Sequence, residues 1–319
     1  MENNNKKYRG LSQKFISAWN KSELKDFYEK HKEELYIGIR AGYINLYYKG
    51  ASISKIKYSS KTKKFHYEIA NRYLDIDNKK GRQQITLDDL KYNYEKIKEN
   101  VSIIQTDEKI AQQLIAQYIN ENNFEWQCID IEYEKKNQSG RFGRFDIIAV
   151  TRQKPYKTAL IELKYGSKAI GGSNGICKHA EDFLLFVGEN NDLKEELCSV
   201  MNSYRSLVSS SHPKVSVEDF NNNADIYFMI LANNLDDNLV NQTKRYLLDY
   251  VAGASTKSFQ KLITDKKYED KLKNFDPIFL FSDVCLTNNR NELNIDDLTG
   301  FDRYKLMKSS NRLEDFKKF

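Results

Sequence analysis

Phe145-Asp146-Ile147-Ile148-Ala149-Val150 and Ala159-Leu160-Ile161-Glu162-Leu163-Lys164 decide how this chain is read. Both are apolar runs of the kind that fills a sheet interior, and the chain turns between them around Pro155, so they read as neighbouring strands. The first run carries a carboxylate near its start, and the second holds a carboxylate and an amine. Side chains alternate along a strand, so Glu162 and Lys164 share a face. An acid or an amine placed in an apolar strand costs several kcal/mol unless it is paired or binds a metal. Two carboxylates converging from adjacent strands make a hard oxygen site suited to Mg²⁺. A nearby lysine can hold a water or stabilise charge developing on phosphorus. The bland alternative is an ion pair, Glu162–Lys164 or Asp146–Lys164, at a sheet edge.

The surroundings set these strands in a larger pattern. Thr106-Asp107-Glu108 opens an amphipathic helix with Ile110, Leu114, Ile115, Tyr118 and Ile119 on one face. Strands follow at 126–134, 144–151 and 158–165, then a glycine-rich loop at 166–175. Helices are expected at 176–187 and about 192–209, a strand at 225–231, a helix near 239–251 and a strand at 278–281. Helix, three-strand meander, helix, strand is the order of a mixed sheet flanked by helices.

Asp146, fifteen intervening residues and Glu162-x-Lys164 resemble the motif of the PD-(D/E)XK nuclease superfamily. The resemblance covers roughly residues 104–285 in element order and about twenty residues in motif. It implies a restriction-endonuclease-like core in which Asp146 and Glu162 bind Mg²⁺ (Mn²⁺ can substitute), with the backbone carbonyl of Leu163 as a further ligand. Lys164 would position the attacking water, and Glu108, on the preceding helix, would assist a second metal or a bound water. Phe145 stands where the motif's name has proline. Glu108 also has a simpler use, since an acid in a helix's first turn favours the helix dipole.

Flanking residues supply candidate phosphate contacts. Arg141 and Arg144 lie just before Asp146, either reaching phosphates or standing solvated in a turn. The loop 165–175, with Lys168, lets backbone amides approach a phosphate, but G-x-x-x-x-G-K-S/T is absent, so nucleotide hydrolysis is not expected. Lys178 and His179 sit on the next helix, where Asp182 shares a face with His179 and can orient its imidazole. A buried, satisfied histidine is the alternative.

The first third differs in character. Residues 11–33 have helical spacing, from Leu11, Phe15, Ile16 and Trp19 to Leu24, Phe27 and Tyr28, and residues 35–70 change to a period of two, the pattern of an antiparallel meander. Residues 87–100 read as a linking helix or an extension of that meander. Within 44–69 stand six lysines, one glutamate and five aromatic residues, either a nucleic-acid surface or an ordinary half-exposed sheet. Residues 1–100 carry 22 basic and 13 acidic side chains, a net of +9, whereas residues 101–319 carry 29 and 32, a net of −3. That asymmetry suggests a module facing a polyanion.

Composition excludes several classes. Forty per cent hydrophobic residues fill ordinary cores, and a mean hydropathy of −0.71 leaves no bilayer-spanning run. Four scattered cysteines form neither a disulfide scaffold nor a zinc knuckle. Met1–Lys7 lacks the apolar stretch of a secretory signal, so a cytoplasmic location is expected.

Together these observations predict an α+β or α/β protein in two domains. Residues 1–100 form a basic helical and antiparallel-β domain, and residues 101–319 form a mixed central β-sheet flanked by helices. The expected activity is Mg²⁺-dependent phosphodiester hydrolysis, on double-stranded DNA first, in restriction, repair or phage defence. A homodimer is one arrangement for double-strand cuts. The alternatives are a non-catalytic nucleic-acid-binding or assembly protein on a degenerate nuclease fold, and an RNA-cleaving effector.

Overall fold

Two compact units emerge from the contacts of the computed structural model: residues 1–117 with 192–220, and residues 118–191 with 221–319. The structure describes residues 8–78, 80–121, 125–137, 140–166, 169, 175–176, 178–179, 182–183, 186, 192–208, 214–231, 278–282, 285–294 and 309–310. The expected helix near 239–251 and most of the loop 166–175 lie outside them. The first boundary between them falls inside a helix, after residue 117.

In the first unit, the expected single helix over 11–33 is two: α1 (Gln13–Trp19) and α2 (Glu23–Lys30). Ser12 and Ser22 each accept a bond from a backbone N–H three residues on, at Phe15 and Lys25, so each starts its own helix. Apolar spacing runs through the break and hides it. Next come β1 (Leu35–Ile39), β2 (Tyr43–Tyr48), β3 (Ala51–Ser59), β4 (Lys64–Ala70), the short α3 (Asn71–Leu74) and β5 (Arg82–Ile85). The five strands pair in sequence order, each antiparallel to the next; the four within residues 35–70 follow the alternation, and β5 lies beyond it. Lys49 (φ 49°) and Gly50 (φ 73°) link Tyr48 to its partner Ala51, two left-handed residues matching the twist of a tight hairpin.

Residues 87–100 resolve into helices α4 (Leu87–Tyr92) and α5 (Tyr94–Ile104), which end this meander. Thr86 and Asp89 form a reciprocal capping box at the start of α4. The core gathers Phe15, Trp19, Leu24, Ile37, Ile44, Ile53, Ile69, Leu90 and Ile97 from both layers. It also takes Val200 and Leu207 from α7 (Leu193–Val208), far along the chain. Trp19 Nε1 donates to the Leu207 carbonyl at 3.2 Å, and the Leu11 N–H donates to Ser203 Oγ at 2.9 Å.

Helix α6 (Asp107–Glu121) ends in the second unit, where Arg152 donates to the carbonyls of Ile119 and Asn120, two acceptors a helix C-terminus leaves open. Asn120 both donates to the carbonyl and accepts from the N–H of Cys128, fixing the entry to the sheet. Strands β6 (Trp126–Asn137), β7 (Gly140–Thr151) and β8 (Tyr156–Tyr165) form an antiparallel meander. With β9 (Phe220–Leu231), β10 (Ile278–Ser282) and the short β13 (Ser309–Ser310) they make a six-stranded sheet of order 13-10-9-8-7-6. Strands β9 and β10 run parallel, so the sheet is mixed. The C-terminal ends of β8 and β9 meet where the Gly166 N–H donates to the Leu231 carbonyl at 2.7 Å. A two-stranded ribbon, β11 (Cys285–Leu286) and β12 (Leu293–Asn294), completes the described strands. No helix among the described residues is long and apolar enough to cross a membrane.

Candidate functional site

The β7–β8 hairpin brings the two quoted runs together in register: Ile147 faces Ile161, Ile148 faces Leu160 and Ala149 faces Ala159. Continued by one pair, the register would set Asp146 opposite Glu162. The ladder stops there instead, and the Leu163 N–H donates to Asp146 Oδ2 at 2.9 Å. A carboxylate thus closes the end of the strand pairing with a charge-assisted bond. Asp146 and Glu162 are each 1% exposed and Lys164 is 3% exposed, so three ionisable groups are buried side by side. Lys164 Nζ donates to Glu162 Oε1 at 2.7 Å, as two side chains on one strand face can do.

A third donor was expected elsewhere. His179 Nε2 lies 3.0 Å from the same Glu162 Oε1, while Asp182 bonds Lys178 across one turn. The Asp-oriented imidazole of the sequence reading is therefore replaced by a Glu162-bound one. Spacing explains it: His179, Phe183 and Phe186 lie four and three residues apart on one helical face. Phe183 and Phe186 each pack on Phe145 with ring centroids 4.6 Å apart. That packing turns His179 toward Glu162. Phe145, at the position named for proline, is an aromatic anchor that seats the helical segment against the sheet. His179 Nδ1 is buried and has no hydrogen-bond partner among the described residues.

The other expected residues are less closely drawn in. Arg144 is half-buried and faces Glu134 in the β6–β7 register, a favourable cross-strand charge pairing. The side chain of Arg141 and all of Lys168 lie outside the described residues. Lys178 is partly exposed and paired with Asp182. Glu108 sits half-buried in the first turn of α6, in the first unit.

Two acids went unmarked in the sequence. Asp130 on β6 is 1% exposed and accepts a bond from the Ile131 N–H at 2.9 Å. Glu132 lies between the pairs Ile131–Ile147 and Tyr133–Phe145, hence across from Asp146, with its backbone in the left-handed region at φ 54°. Glutamate rarely adopts that conformation within a strand. Alternation of polar and apolar residues in Ile129–Glu134 was the available signal, but it does not separate a buried acid from a solvated one.

Among the described residues no group of three or more His, Cys, Asp or Glu is gathered as a metal cage. Mg²⁺ does not need one, because it keeps several waters and is commonly bound through one or two carboxylates. Asp146, Glu162 and the main chain of Leu163 meet that lesser requirement. The contacts of Glu162 with Lys164 and His179 both fall on Oε1, so Oε2 takes part in neither. Comparison with protein-family models, curated proteins and solved structures finds no match to this chain.

Proposed function

We propose that the chain is a metal-dependent nuclease whose reaction centre is the Asp146–Glu162–Lys164 cluster. The observation that supports this most is the burial of two carboxylates and an ammonium at the end of two apolar strands. Each ion so buried costs several kcal/mol, which hydrophobic residues of similar size would avoid. The order of α6, the β6–β8 meander, a helical segment and β9 adds to the resemblance to the PD-(D/E)XK superfamily and its restriction-endonuclease-like core.

In this reading Asp146, Glu162 and the Leu163 carbonyl hold Mg²⁺ or Mn²⁺. The metal, when bound, would lower the pKa of a water and stabilise the leaving oxygen of an in-line displacement. Lys164, released from Glu162 Oε1, orients that water. His179 fixes the Glu162 carboxylate. Arg141, Arg144, Lys168 and Lys178 remain as flanking groups for phosphates, and the resemblance alone assigns Glu108 to a second metal or a bound water. DNA is the first substrate to test, in a restriction, repair or defence setting, with a homodimer as one arrangement for double-strand cuts.

A second reading has an observation in its favour. Glu162 Oε1 already receives two donors and Asp146 one, which also suits a self-contained ion cluster in a binding or assembly protein. Incubation of the full chain with supercoiled plasmid, linear duplex, single-stranded DNA and RNA, with Mg²⁺, Mn²⁺ or EDTA, separates the two. The nuclease reading expects metal-dependent cleavage that Asp146→Asn abolishes. Cleavage retained in that variant, or no cleavage of any substrate, counts against it.

A further inference from the structure

We propose that a cleft at the tip of the β3–β4 hairpin, in the first unit, binds a single-stranded segment of nucleic acid. The cleft encloses about 650 Å³ between that hairpin, the α1–α2 turn and the β5–α4 corner. Its charged lining is Lys21, Lys63 and Lys64, with His66 beside them, and no aspartate or glutamate among the described residues lines it.

Those lysines are left over after the neighbouring charges are matched. Of the six lysines in residues 44–69, Lys55 and Lys57 pair with Glu68, and Lys49 donates to Ser102 Oγ. Two acids beside the cleft are also engaged: Glu23 bridges to Lys91 at 2.6 Å, and Asp89 is held in the capping box with Thr86. Lys21, Lys63 and Lys64 make no side-chain hydrogen bond or ion pair with any described residue. Three unneutralised cations around one concavity favour a polyanion.

The aromatic residues narrow the choice. Tyr58 and Phe65 face each other across the hairpin register, with ring centroids 5.2 Å apart. Phe65 is braced edge-on by Phe15 of the core at 5.3 Å. Both rings are half-buried, packed against the core while also lining the cleft. A rigid ring with an accessible edge or face is a stacking platform for a base. In a duplex the base faces are stacked inward and only edges and phosphates are accessible, so an aromatic-lined concavity beside lysines suits an unpaired strand. The inference deepens the nuclease reading by naming the form of substrate that the first unit holds, and it is measured without cleavage.

The test is fluorescence anisotropy of the full-length protein in EDTA with labelled dT12, rU12, a 12-mer duplex and an abasic 12-mer. Three phosphate contacts predict a salt slope near −2 for dT12, roughly a 20-fold loss of affinity from 50 to 200 mM salt. Lys21→Glu with Lys64→Glu should reduce the slope to about −0.7. Both side chains are exposed and uncontacted, so circular dichroism should not change. Tyr58→Leu, which keeps the apolar packing, should weaken dT12 binding roughly 5- to 150-fold and leave the abasic oligomer unaffected. Whether dT12 or rU12 binds more tightly identifies the sugar of the natural strand, either order supporting the site. Duplex binding as tight as dT12, or unchanged dT12 binding in both variants, overturns it. Intact dT12 binding without any cleavage would remove the nuclease reading alone, and intact cleavage with unchanged binding in the variants would remove this one alone.

Discussion

Replacing Glu162 by alanine should loosen the second unit's sheet far more than an ordinary surface change. The substitution removes the carboxylate 2.7 Å from Lys164 Nζ and 3.0 Å from His179 Nε2, at a site where Glu162 and Lys164 are 1% and 3% exposed. Breaking a buried ion pair by deleting one partner costs about 3–5 kcal/mol, whereas replacing both partners with apolar residues is often neutral or stabilising. Hydrogen exchange read on β7–β8 peptides of the full chain converts this into a rate: Glu162→Ala should speed exchange through opening of the sheet by roughly 10²- to 10⁴-fold. Glu162→Leu with Lys164→Met should bring it back to within about tenfold of the unmodified chain. Mg²⁺ at about a hundred times its Kd should slow exchange in the unmodified chain by the equivalent of about 2.7 kcal/mol, and not in either variant. An effect of Glu162→Ala within threefold of the unmodified chain would mean that the cluster is solvated, and the argument from buried charge would fail.

Glu34, in the first unit, sets an acid limit on stability. Burial works to raise its pKa, but hydrogen bonds from Lys98, Tyr94 and His31 outweigh it and hold the carboxyl below its usual value of 4.5. The unfolded chain then takes up the proton first, so this contribution is complete above about pH 4.5 and lost as pH falls through the lower folded value. Glu34→Gln should flatten the acid side of a Tm-against-pH curve, and an unchanged acid slope would contradict that origin. Gly50→Ala should cost about 1–2 kcal/mol for its left-handed backbone, and more for a Cβ placed 2.3 Å from the Lys109 carbonyl oxygen. Gly166→Ala, also at positive φ but with nothing within 4 Å, should cost only the first part. Equal Tm losses would show that the close approach at Gly50 does not matter.

Much of this architecture is local, and local signals survive in sequence. The period of two over residues 35–70 and the apolar runs around Asp146 and Glu162 are set by burial of one or both strand faces, so they read directly. The hairpin register then follows, because slipping by one residue would exchange the faces. What did not read is non-local. The break between α1 and α2 depends on Ser22 acting as a cap within an uninterrupted apolar pattern. Placement of α7 in the first unit depends on Trp19 and Leu11 meeting Leu207 and Ser203 almost two hundred residues away, which no spacing rule encodes. His179 was marked, but its partner was misassigned to Asp182, since i,i+3 and i,i+4 neighbours compete on any helix. The six lysines of residues 44–69 looked uniform in sequence, yet the fold divides five of them between Glu68, Ser102 and the cleft.

The central claim is that buried Asp146, Glu162 and Lys164 are kept for metal-dependent chemistry on a phosphodiester. It is tested most directly by following supercoiled plasmid with the unmodified chain and Glu162→Gln, each in Mg²⁺ and in EDTA. Glu162→Gln keeps the side chain's shape and an acceptor for Lys164. The account predicts nicking or linearisation only by the unmodified chain with Mg²⁺. Cleavage that persists in EDTA, or equal cleavage by Glu162→Gln, would contradict it.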